Sequence, residues 1–109
     1  MAWLLRDGEV LASLEIASGR GARRRGLLGR PGFEGALLLE RTRSVHSFGM
    51  AFPLDVAVCD ADLVVLHTRR LVPGRVTLPV ARGRQVIEAE AGCFARWALV
   101  VGDALEVRP

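Results

Sequence analysis

The segment His46-Ser47-Phe48-Gly49-Met50-Ala51-Phe52-Pro53-Leu54-Asp55 holds the densest chemistry in the chain. Two aromatic rings, a thioether, an imidazole and a carboxylate surround a glycine and a proline. That composition suits a small pocket with apolar walls and a few polar groups. It suits a packed bend closing a core equally well. Ser44, His46, Ser47 and Asp55 also supply the elements of a hydrolytic triad. On a strand, His46 and Ser47 point to opposite faces, which leaves Ser44 as the same-face partner. No strained elbow surrounds that serine, so the nucleophile is weakly marked. The catalytic candidates are therefore His46 and Asp55, as an acid/base pair.

Other reactive patterns fail on inspection. His46 and His67 are the only histidines, and neither has a ligand-type residue at zinc-site spacing unless the softer Met50 counts, so no metal is expected. Gly19-Arg20-Gly21 begins like a dinucleotide fingerprint, but Arg24 stands where the third glycine belongs. Gly21 and Gly26 have phosphate-loop spacing, yet Leu27-Leu28 replaces the required Lys and Ser/Thr. No cofactor is expected. Cys59 and Cys93 are too few for a disulfide framework. Cys93, beside Gly92, is a candidate thiol that reads better as a small buried hydrophobe.

The net charge is +3, from 15 basic and 12 acidic residues. Every basic residue is arginine, and lysine, asparagine and tyrosine are missing. Codon usage in a GC-rich genome accounts for this better than anion binding does. The distribution says more. Arg20, Arg23, Arg24, Arg25, Arg30, Arg41 and Arg43 form one basic segment, and Arg69, Arg70, Arg75, Arg82 and Arg84 another. They make a basic surface if the fold brings them together. A helix start near Ser18 with Arg20, Arg23 and Arg24 offers an anion site, although a solvated basic face is the commoner outcome. Nucleic acid is not favoured, because only Phe33 stands among these arginines as a stacking platform.

The elements that must position these residues are mostly strands. Ala2–Arg6 and Glu9–Ile16 flank Asp7-Gly8, a type I′ hairpin signal. Ser18 caps a short helix reaching Leu28, where Gly29 and Pro31 stop it. Strands are predicted at Ala36–Leu39, Ser44–Phe48, Leu54–Cys59, Leu63–Arg69, Gln85–Ala89 and Ala104–Val107. If Cys59 pairs with Leu63 across the Asp60–Asp62 turn, Asp55 faces His67. Phe94 and Trp97 read as core anchors. The fold class is mainly β: a compact sandwich or barrel, residues 1–109 as one domain, with a helix near 19–28 and a helical turn near 91–96. No stretch reaches the ~20 clean apolar residues of a membrane span. The apolar opening is too short for a signal peptide, so a cytoplasmic protein with reduced thiols is expected.

Gly26-Leu27-Leu28-Gly29-Arg30, the His46–Asp55 block with its Met50-x-x-Pro53-Leu54-Asp55 core, Val86-Ile87-Glu88 with Ala91-Gly92, and Gly102-Asp103 together resemble a prokaryotic domain-of-unknown-function family, number 192. The resemblance covers roughly residues 10–107. It implies a small β-rich, sandwich-like domain with a little helix. Gly49 stands where relatives often carry an aromatic, and Leu63 where many carry glycine. Carried over position by position, the resemblance marks Arg30, His46, Met50, Asp55, Glu88 and Asp103, without assigning them roles.

The function read from these residues is a non-enzymatic module. Arg30, His46, Met50 and Asp55, with Glu88 and Asp103, would bind a small anionic or polar ligand, or a peptide of a partner protein. The alternative is an acid/base or hydrolytic enzyme using His46 with Asp55.

Overall fold

In the computed structural model, which describes residues 2–109, the chain opens as a hairpin. Asp7 and Gly8 take φ of 53° and 80°, joining β1 (Ala2–Arg6) to β2 (Glu9–Ala17) in the two-residue turn their types favour. β3 (Ala36–Glu40) then pairs parallel to β2. Parallel pairing requires a crossover, and residues 18–35 supply it, carrying α1 (Arg20–Arg25). The chain continues through β4 (Leu54–Cys59), β5 (Val65–Leu71), β6 (Gln85–Glu90), α2 (Cys93–Trp97) and β7 (Leu105–Arg108).

All seven strands join one sheet in the order β5-β4-β6-β3-β2-β1-β7. The sheet curls until its two edges touch. Val64 bridges Ala104, the Val65 amide donates to Asp103 O at 2.9 Å, and the Leu105 amide donates to Leu63 O at 3.0 Å. The result is a single mainly β domain shaped as a half-barrel.

Side-chain alternation along the strands divides the core in two. One face gathers Leu4, Leu14, Leu38, Ala57 and Ile87 beneath Phe94 of α2, with Trp97 partly buried against them. The other gathers Leu37, Leu39, Val56, Val58 and Val86, and is covered by Leu27, Met50 and Phe52 from the long connections. Continuous apolar runs such as Leu37-Leu38-Leu39 therefore mean burial on both faces.

Three local expectations are corrected. The helix predicted near 19–28 is shorter. Gly19 is its N-cap with no side-chain cap, and Gly26 ends it at φ 50°, ψ −126°, a combination open to glycine. Ser18 instead offers its carbonyl to Arg41.

Ser44–Phe48 is not a strand. A single bridge joins His46 to Val76, because the segment spends its polar groups on the 72–77 loop. Ser47 Oγ donates to Val72 O at 2.7 Å and accepts from the Arg75 amide at 2.9 Å, while Thr77 exchanges hydrogen bonds with Val45.

Asp55 does not face His67. Cys59 pairs with Val65 rather than Leu63, two residues on, and a register shift between Val58 and Cys59 adds a third, so that Val58 faces His67 and Asp55 faces Arg70. The cause lies in the turn: Asp60 Oδ1 accepts from the Asp62 and Val64 amides, and Leu63 adopts φ 62°. The turn thereby consumes two residues assigned to the strand from sequence.

An arginine-rimmed cavity as candidate functional site

The helix-bearing crossover and the 41–50 connection meet over the face of the sheet that carries Val86 and Glu88. They leave a cavity of about 540 Å³ between them, within the usual size range of small-molecule pockets. Arg20, Arg23, Arg24 and Arg25 enter from α1 and Arg41 from the end of β3. Leu27, Leu39, Phe48 and Met50 supply apolar wall; Ser44 and His46 contribute polar groups. Glu88 lies at the sheet.

Period-two alternation puts Glu88 there. Ile87 and Ala89 belong to one core cluster, and Val86 to the other. Leu37 and Val56 flank Glu88 on the neighbouring strands. Hemmed in this way, Glu88 is only 3% exposed, and burial pushes its carboxyl up to about 7. Gly26 closes over it: a Cβ at that position would stand 3.3 Å from Glu88 Oε1. Among the described residues, no side chain or amide hydrogen-bonds this carboxyl.

Arg23 is the best-anchored cation of the cavity. Its Nη1 donates to Glu40 O and Arg41 O, each at 3.2 Å. Its Nε is buried with no partner among the described residues.

The positions marked from sequence divide sharply. His46, Met50 and Glu88 come together in the cavity. Arg30 does not join them. It makes a two-point pair with Glu15 (3.0 and 2.9 Å) and lies over Phe33, lining a separate hollow. Hydrogen bonding to Arg30 holds Glu15 below the usual carboxylate range.

Asp55 leaves the opposite face of the sheet. Its Oδ2 accepts from the Gly92 and Phe94 amides at 2.9 and 3.0 Å, tying down the start of α2, while Oδ1 accepts from Arg70 Nε at 3.3 Å. Asp103 caps the α2–β7 turn through the Val100 amide and pairs with Arg6. Both carboxylates are engaged in bonds within the fold.

The His46–Asp55 couple is not assembled. His46 is exposed, stacks on Phe48 at 5.4 Å between centroids, and accepts the Phe48 amide at Nδ1. Ser47 is committed to Val72 and Arg75. The thiols are no better placed as nucleophiles. Burial pushes Cys59 up to about 12 and raises Cys93 as well.

Sequence reasoning missed Arg41 and the depth of Glu88. Arg41's φ of 52° turns the chain at the end of β3, and no local sequence signal announces it. Glu88, a lone acid between apolar neighbours in Val86-Ile87-Glu88-Ala89, did carry a signal: a charged residue at an inward strand position.

Among the described residues, no helix is long and apolar enough to cross a membrane. No curated protein matches the chain. Two solved structures share its fold. A protein of unknown function from Novosphingobium aromaticivorans is similar at TM-score 0.80 and 23% identity, covering 96% of this chain and 82% of its own. A Sinorhizobium meliloti protein, named provisionally as a transcription regulator, is similar at TM-score 0.80 and 24% identity, covering 97% and 91%. The family DUF192, described as "Uncharacterized ACR", matches residues 2–107, nearly the whole length. The chain belongs to the DUF192 family.

Proposed function

We propose that the protein is a non-enzymatic binding domain whose arginine-rimmed cavity holds a small anionic or polar molecule. The observation that carries this reading is Arg23. Two main-chain carbonyls fix its guanidinium through Nη1, while no acceptor among the described residues takes Nη2, in a cavity with four further arginines at its rim. A guanidinium fixed in advance loses little freedom when it engages an oxyanion. The separation of His46 from Asp55 weighs against the acid/base alternative.

Isothermal titration with inorganic phosphate and with acetate tests the proposal. Binding is expected, weakened at least tenfold in an Arg20→Ala, Arg23→Ala variant whose circular dichroism matches wild type. Affinity that ignores both arginines would overturn it.

A second reading, docking of a partner peptide, draws support from Phe48 at the cavity mouth, 55% exposed, and from Val76 and Leu78, 51% and 79% exposed. Loss of partner capture in a Phe48→Ser variant that still binds phosphate would favour that reading. A cytoplasmic location belongs to the same proposal and is supported by the two free, buried cysteines. Cell fractionation checks it.

A further inference from the structure

The floor of the cavity makes a demand that its rim does not. We propose that the ligand is bifunctional: an oxyanion, carboxylate or phosphate, for the arginines, joined by a short apolar segment to a hydroxyl or carbonyl oxygen that hydrogen-bonds Glu88. This rests on the anion-binding reading and specifies its ligand class.

Three observations support it. Glu88 is 3% exposed and lines the cavity, yet no hydrogen bond to it is found among the described residues. Its oxygens are not sealed off, since Arg23 Nε is the buried side-chain atom left without a partner among the described residues, so whatever fills the cavity is what this carboxyl bonds. The surroundings then choose the partner. Arg20, Arg23, Arg24, Arg25 and Arg41 all line the same space, so its potential is positive and an ammonium group is disfavoured there. Burial also favours the neutral carboxyl, which donates one hydrogen bond and accepts another, and a hydroxyl or carbonyl oxygen fits that pattern. Between floor and rim, Leu27, Leu39 and Met50 are all buried and line the cavity, so the linking segment meets apolar wall. A bare phosphate would leave that wall and Glu88 unused.

Matched probes separate the two ends. Glycerol 3-phosphate is compared with n-propyl phosphate, and glycerate with propionate, by titration calorimetry against wild type, Glu88→Gln and Glu88→Leu. The hydroxylated member of each pair is expected to bind roughly tenfold tighter to wild type, the size of one hydrogen bond to a buried donor. That preference should survive in Glu88→Gln, whose amide still donates, and vanish in Glu88→Leu. The phosphate and carboxylate pairs together show which oxyanion the rim prefers.

Equal binding within each pair, or a preference that persists in Glu88→Leu, overturns the proposal and leaves the anion site standing. Tighter binding of phosphoethanolamine than of glycerol 3-phosphate overturns it too, by making Glu88 a counter-ion for an amine. If no oxyanion binds, the underlying reading falls and this inference with it. The ligand pairs decide the question in wild type even if Glu88→Leu fails to fold.

Discussion

Asp55 and Glu88 stand one position apart across the β4–β6 ladder, where Asp55 pairs with Ala89 and Val56 with Glu88, so their carboxyls leave the sheet on opposite faces. Both are nearly buried, at 4% and 3% exposure. Asp55 is saturated by Arg70 and two main-chain amides. Glu88 faces the cavity and receives no hydrogen bond from the described residues. One acid is bonded within the fold, and the other is not.

Asp55→Ala should therefore cost stability without touching the cavity. Removing the carboxylate strands the Gly92 and Phe94 amides and breaks a charged hydrogen bond. A loss of about 2–4 kcal/mol is expected. Urea unfolding measures it, and phosphate affinity of the folded fraction should match wild type.

Glu88 should make the stability of the protein depend on pH. Its folded pKa, about 7, lies above the ordinary 4.5. Below 4.5 the group is neutral whether the chain is folded or unfolded, so it costs nothing. As pH rises from there to about 7, the unfolded chain ionises more readily and stability falls, by about 3 kcal/mol in all. Glu88→Gln should remove this slope. Chemical denaturation of both proteins between pH 5 and 8 is the check, and parallel curves would contradict it.

Asp103 works at the acid end. The Val100 amide holds its carboxyl below the usual aspartate value; burial opposes this, and Arg6 adds to the lowering. Its contribution is complete above 3.8, the ordinary value, and is lost as pH falls through the lower folded value. Asp103→Asn should thus destabilise the protein at pH 6, and its cost should shrink as pH falls below 3.8. Thermal unfolding across that range measures the convergence.

Gly26→Ala should damage fold and site together. The new Cβ would sit at a φ of 50° and 3.3 Å from Glu88 Oε1. Backbone strain of this kind costs about 1–3 kcal/mol. Lower urea resistance with weaker phosphate binding is expected.

Arg30→Ala should change little. The Arg30–Glu15 pair is largely exposed, and such pairs contribute ~0–1 kcal/mol. Arg30 also lines a different hollow from Arg23. Unfolding midpoint and phosphate affinity close to wild type are the expected results.

The amino-acid sequence by itself determined what depends on near neighbours. The Asp7-Gly8 turn follows from two residues that tolerate positive φ, and strands such as Leu54–Cys59 and Gln85–Glu90 follow from short apolar runs between turn residues. The mainly β class and the two short helices follow in the same way. Tertiary structure decided what depends on register and distance in the chain. Two residues taken up by the Asp60 turn and one more at the Val58/Cys59 irregularity gave Asp55 to Arg70 instead of His67. Strand parity sent Asp55 and Glu88 to opposite faces, and a crossover 18 residues long brought Arg23 to the carbonyls of Glu40 and Arg41. Side-chain period in a strand is two, so a single inserted residue reverses every face beyond it. Residue types alone do not carry that count.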